Sequence, residues 1–183
     1  MAPFPDFTQR HGPPAQCVQV PAAVIKKYAQ RLPGVLLDHW QAAGWCAYSK
    51  GLLWITDPAQ FQPTVKDWFP KDKTALVFAR TAFGDLFVWR GGRIVMVLVQ
   101  SGRTQDMGDD IEILLDGLMC DEAFVRDALW PDTLDFLLAK FGPLSADECF
   151  APVPALALGG SDKPEAMQKV KLREHLALLR QLH

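Results

Sequence analysis

The stretch Ala79-Arg80-Thr81-Ala82-Phe83-Gly84-Asp85-Leu86-Phe87-Val88-Trp89-Arg90-Gly91-Gly92-Arg93-Ile94-Val95-Met96-Val97-Leu98-Val99 leaves this chain few ways to fold. Gly84-Asp85 and Gly91-Gly92 are turn dipeptides, and β-branched and aromatic residues fill strand-length runs between and after them. That is the pattern of consecutive hairpins. Strands are expected near 74–80, 85–90 and 93–100, at the centre of an antiparallel sheet. No catalytic constellation lies within the stretch, so it reads as a scaffold and function is to be sought at its edges.

The segments around it have their own punctuation. Pro3, Pro5, Pro13 and Pro14 forbid a long N-terminal helix and predict an extended arm pinned by Phe4 and Phe7. Pro21 suits a helix N1 position, and Val24, Ile25, Tyr28 and Leu32 follow at helical spacing until Pro33-Gly34. A short helix with Val35, Leu36 and Trp40 comes next, then a hairpin around Ser49-Lys50-Gly51 that Asp57-Pro58 ends. Phe61, Val65, Trp68 and Phe69 predict a short helix or ordered loop.

The polar run Ser101–Asp110 marks a boundary between residues 1–105 and 106–183, two parts packed as one unit. Beyond it the period turns helical. Ile111, Leu114, Leu115 and Leu118 share a face, Asp121 can cap a helix through Leu129, and Pro131 can open another that runs through Phe141 to Gly142. Val170, Leu172, Leu176, Leu179 and Leu182 predict a last helix at about 169–182. The expected class is α+β: N-terminal helices on a central antiparallel sheet, then a mostly helical C-terminal lobe.

Composition narrows the function. With 183 residues, 49% of them hydrophobic and 22% charged, the chain can fill a core without metal or disulfide staples. Its formal charge of -2 gives no global pull toward nucleic acid or anionic lipid. The N-terminus lacks a basic segment followed by an apolar one, and no apolar run reaches the roughly 18 residues of a membrane span. A cytoplasmic location is expected. Cys17, Cys46, Cys120 and Cys149 form no C-x-x-C pair, and four free thiols are the expectation.

No phosphate-cradling loop, nucleophile elbow or metalloprotease motif occurs. His11, His39, His175 and His183 have no second ligand at helical spacing, and His39 beside Trp40 reads as a helix-surface residue. Neither catalysis nor a cofactor nor a metal is therefore expected.

Two charged groups remain as candidates. Arg80, Arg90 and Arg93 flank the central strands, as strand-end residues or partners of Asp85; alternatively Arg80, Thr81 and Asp85 hold a small ligand, with Tyr48 and Ser49 adding hydrogen bonds. Lys66, Lys71 and Lys73 interleave with Trp68 and Phe69, but Asp67 and Asp72 interrupt them and a solvated face is expected.

The stronger feature is acidic. Asp106, Asp109, Asp110, Glu112, Asp116, Asp121 and Glu122 occur with no intervening Lys or Arg, and Asp127, Asp132 and Asp135 extend the run against Arg126 alone. The C-terminal Lys163, Lys169, Lys171, Arg173 and Arg180 are locally positive. Acids near helix N-termini and a docking face for a basic partner both account for the run. Its spacing is not that of a calcium-binding EF-hand loop.

Phe7, Gly12, Val24-Ile25, Tyr28, Leu32-Pro33, Leu36-Leu37, Trp40, Gly44, Gly51, Trp54, Asp57-Pro58, the run from Ala79 to Leu86 with Trp89, and Pro154-Ala155-Leu156-Ala157-Leu158-Gly159-Gly160 occur in an order that resembles a known family. It is the GAD-like domain joined to the C-terminal domain of type VI secretion immunity proteins. The resemblance implies a cytoplasmic antidote that binds and blocks a cognate toxin, a secreted DNase in the best-known members, with no direct contact to nucleic acid or membrane. A DNase cleft is basic and shaped for phosphates, so carboxylates can stand in for them. The acidic stretch is then the expected contact region, with exposed aromatics such as Trp68, Phe69 or Trp130 as anchors.

Overall fold

Alternation along the central strands decides the architecture of this computed structural model, which describes residues 3–183. Seven antiparallel strands lie in sequence order: β1 (Ala15–Val18), β2 (Trp45–Tyr48), β3 (Leu53–Ile55), β4 (Leu76–Thr81), β5 (Leu86–Arg90), β6 (Arg93–Leu98) and β7 (Arg103–Asp106). Val77, Leu86, Val88 and Val97 join one apolar cluster, whereas Phe78, Phe87, Ile94 and Met96 join another. Period-two residues thus leave both sides of the sheet apolar, and both must be covered.

The cover comes from different parts of the chain. Leu172, Leu176 and Leu179 of α7 (Leu172–Leu182) close the first cluster together with Val65 of α4 (Gln62–Trp68). The larger cluster takes Phe7 of α1 (Pro5–His11), Tyr28 of α2 (Ala22–Tyr28), Leu36 and Trp40 of α3 (Gly34–Ala42), and helical residues from the second half of the chain. That second half opens with a wide helical turn, Ile113–Gly117. It continues through α5 (Glu122–Phe124), extended by the wide turn Val125–Leu129, and α6 (Pro131–Phe141). Leu114, Met119, Leu129 and Leu137 are fully buried contributions from it. A separate hairpin pairs β8 (Glu148–Pro152) with β9 (Met167–Lys171).

The α+β class, the three central strands and the helix that Pro131 opens agree with the sequence reading, and several details correct it. The proline-rich N-terminus is a seven-residue helix and an edge strand rather than an extended arm, although Phe4 and Phe7 are buried as expected. Pro5 opens this short helix at its first turn, where a proline is tolerated, and Pro13 lies just beyond its end. The polar run after Ser101 forms β7, which pairs Val95↔Asp106 through Leu98↔Arg103 on the open edge of β6. The last helix starts at Leu172, because residues 169–171 are spent on pairing β9 with β8.

His39 is buried, not on a helix surface: its Nε2 lies 2.9 Å from the Tyr48 hydroxyl, and burial pushes its pKa down to about 4 and that of Tyr48 up to about 12. Cys17 and Cys46 are joined in a disulfide with their Cα atoms 4.3 Å apart, which overturns the expectation of free thiols for this pair. Pairing of β1 with β2 sets the two residues opposite each other, a proximity that a separation of 29 residues conceals. Cys120 and Cys149 are free.

The N-terminal arm docks onto the second half of the chain. Asp116 accepts the Phe7 amide at 2.9 Å, His11 Nε2 lies 2.8 Å from the Met119 carbonyl, and Gln16 donates to the Leu144 carbonyl at 2.9 Å. Among the described residues no helix is long and apolar enough to cross a membrane.

Candidate functional site

The acidic run divides by what each carboxylate does. Asp106 pairs with Arg93 at 2.7 Å and accepts the Gly108 amide at 2.9 Å. Asp110 accepts the Glu112 and Ile113 amides, and Asp121 caps α5 by accepting the Phe124 amide at 2.7 Å. Caps of this kind satisfy orphan helix donors and are worth about 1 kcal/mol each. Asp116 is half-buried and holds α1. Asp109, Glu112 and Glu122 are exposed and have no side-chain partner among the described residues. Capping thus accounts for Asp110 and Asp121, and Asp109, Glu112 and Glu122 are the unengaged charges of the run.

Beside this region lies a cleft of about 530 Å³. Met96 and Leu98 of β6, Phe124 and Ala128 of α5 and its extension, and Trp130 and Leu156 line it. Trp130 is 40% exposed and sits in the left-handed region at φ 53, where it starts α6. Its indole N–H donates to the Asp127 carbonyl at 3.0 Å and its ring lies 5.4 Å from that of Phe83. Both contacts fix the ring at the rim.

One carboxyl group looks into this apolar space. Asp85 ends a tight turn in which Thr81 Oγ1 accepts the amides of Phe83 and Asp85, and Gly84 supplies the φ of +89° that the turn requires. Asp85 Oδ1 accepts the Val99 amide at 2.9 Å, and Oδ2 has no partner among the described residues. Burial pushes the Asp85 pKa up to about 7, and the Val99 amide only partly offsets this.

The structure does not bring Arg80, Thr81 and Asp85 together at one opening. Arg80 is fully buried, stacks 4.4 Å from the Trp54 ring centre and donates to the carbonyls of Thr81 and Ala146 at 3.1 and 3.0 Å. Burial without a carboxylate partner lowers its pKa to about 10. Arg90 pairs with Asp72 and Arg93 with Asp106, so none of the three arginines is a partner of Asp85. Thr81 is buried and spends its hydroxyl on the turn.

Ser49 lies 2.8 Å from His11 Nδ1, and burial lowers the pKa of His11. The ring is held from its other side by the Met119 carbonyl and serves to join the arm to the core. Trp68 and Phe69 are half-buried, the latter 4.6 Å beneath the Arg90 guanidinium. Among the described residues no group of three or more His, Cys, Asp or Glu is placed to hold a metal ion.

The sequence reading found Trp130 but missed its companions in the cleft. Met96, Leu98 and Phe124 look in sequence like ordinary core residues, and Leu156 lies in a segment marked only by prolines and glycines. Gly160 explains part of that marking: a Cβ there would collide with the Pro154 carbonyl, so only glycine lets the chain fold back beside Leu156.

The family model of the GAD-like domain matches residues 3–101, and that of the C-terminal domain of the T6SS immunity protein Tdi1 matches residues 111–183. Among solved structures, Atu4351 from Agrobacterium tumefaciens has a TM-score of 0.83 over 97% of this chain and 88% of its own, at 21% identity, a likeness of fold. No curated protein is significantly similar in sequence.

Proposed function

Since the chain belongs to the GAD-like family and carries the C-terminal domain of the type VI secretion immunity protein Tdi1, we propose that it binds a cognate secreted toxin, a nuclease, and neutralises it by covering the active site. The observation that carries this reading is the unengaged acidic face. Asp109, Glu112 and Glu122 project from a stretch with no Lys or Arg between residues 104 and 125, and the nearby cations Arg93 and Arg126 are already paired with Asp106 and Asp127. A nuclease must attract phosphate, so its cleft is basic and complementary to such a face. The protein acts as a binder, without turnover, in the cytoplasm where the toxin would otherwise do harm.

Purified protein is expected to co-purify with the effector encoded beside it and to suppress that effector's DNase activity at a one-to-one ratio. Asp109→Lys, Glu112→Lys and Glu122→Lys together are expected to slow association by about tenfold at low salt and to flatten its salt dependence, because rim charges act mainly through encounter. Absence of binding by the unmodified protein would refute the immunity role. Unchanged association of the triple variant would refute the assignment of this face alone.

A further inference from the structure

The cleft beside Asp85 is built unlike a packing defect. A gap of about 530 Å³ among Met96, Leu98, Phe124 and Trp130 forfeits dispersion contacts on every wall, and it falls within the range of roughly 300–1,000 Å³ typical of ligand clefts. Its lining holds the carboxylates Asp85 and Asp127 and no lysine or arginine. Asp127 is shared with Arg126 at 3.1 Å, which leaves Asp85 as the unshared charge. A half-buried carboxyl group at the side of a mostly apolar cleft, with one oxygen free of protein partners, is a ready contact for an incoming cation. Trp130 adds a second sign. A non-glycine residue in the left-handed region is strained, and here it holds an aromatic ring preset at the rim.

We propose that this cleft is the anchor socket for the toxin: it receives a lysine or arginine with a neighbouring apolar side chain, the cation meeting Asp85 and the apolar group packing on Trp130, Phe124 and Leu98. The proposal rests on the immunity reading and locates its strongest contacts. The surrounding acids attract a basic surface, and the socket holds it. An arginine or lysine suits both requirements, because its stem packs on apolar walls while its head reaches a carboxylate. The exposed acids then govern the association rate, and the socket governs the lifetime of the complex.

The test uses the full chain and a catalytically inactivated form of the effector encoded beside it, with rates read by biolayer interferometry. Ala128→Trp fills the cleft, and Asp85→Asn removes the charge at constant size. Ala128→Trp is expected to weaken binding at least a hundredfold and Asp85→Asn at least tenfold, both through faster dissociation and with the salt dependence retained. Dissociation within threefold of the unmodified protein for Asp85→Asn overturns the socket while leaving the immunity role intact. Failure of the unmodified protein to bind overturns the immunity role instead. Circular dichroism monitors folding, and if Ala128→Trp does not fold, Asp85→Asn decides alone. A homodimer in light scattering that Ala128→Trp dissolves would make a second copy the occupant and refute the proposal. A small-molecule adduct in native mass spectrometry that Ala128→Trp releases would also refute it.

Discussion

Asp85→Asn keeps the acceptor for the Val99 amide and removes an ionisable group from an apolar setting. Burial holds the folded carboxyl near pH 7, above its ordinary 3.8, so between these values the folded chain keeps a proton that the unfolded chain has lost. Stability from this group is fully present below about pH 4, falls by about 1.4 kcal/mol per pH unit, and levels off above pH 7. The integrated loss is up to about 4 kcal/mol at pH 8, and solvent reaching the carboxyl through the cleft reduces it. Asparagine carries no such loss. The variant should therefore match the parent near pH 4 and exceed it at pH 8, where even half the full effect moves the urea midpoint by about 1 M. Urea unfolding at pH 4, 5, 6, 7 and 8 measures both slopes. Carboxylates held low by partners, such as Asp72 and Glu148, contribute equally to both proteins and cancel. Parallel stability profiles for the two proteins would refute the reasoning. The same variant is expected to bind toxin less well, so its gain in stability and loss of affinity test one carboxyl group from opposite sides.

Arg80→Lys removes the planar stack on Trp54 and one of two carbonyl contacts, and is expected to destabilise the protein by about 2–3 kcal/mol; an unchanged melting temperature would show that the guanidinium geometry is immaterial. Cys17→Ser opens the loop closed by the Cys17–Cys46 bridge and is expected to cost roughly 2–4 kcal/mol in oxidising buffer and nothing in reductant, and mass spectrometry after alkylation of the unfolded, unreduced parent should count two free thiols. Equal melting temperatures in both buffers would exclude the bridge.

The central hairpins were legible because Gly84-Asp85 and Gly91-Gly92 act locally and the apolar runs between them have strand length. Pro131 and Asp121 announced their helices for the same reason, since capping is a matter of the nearest few residues. What escaped notice depends on pairing across the chain. β7 reads as a polar loop because an edge strand facing solvent needs no apolar alternation, and Cys17 meets Cys46 only through the register of β1 on β2. His39 looked exposed because its partner, Tyr48, lies on the next strand rather than on its own helix. The candidate site divides along the same line: the acidic run was visible as composition, whereas the cleft needs β6, α5 and Leu156 brought together, which no local spacing records.

The dock of α1 onto Asp116, Met119 and Leu144 has a consequence for anyone grafting specificity between relatives. A chimera joined at residue 105 would give the recipient a foreign clamp, since Phe7, His11 and Gln16 bond the half that the graft replaces. Successful exchange would keep β1 on its own β2 and match Phe7, His11 and Gln16 to the incoming Asp116, Met119 and Leu144, positions distant in the gene and joined in the fold.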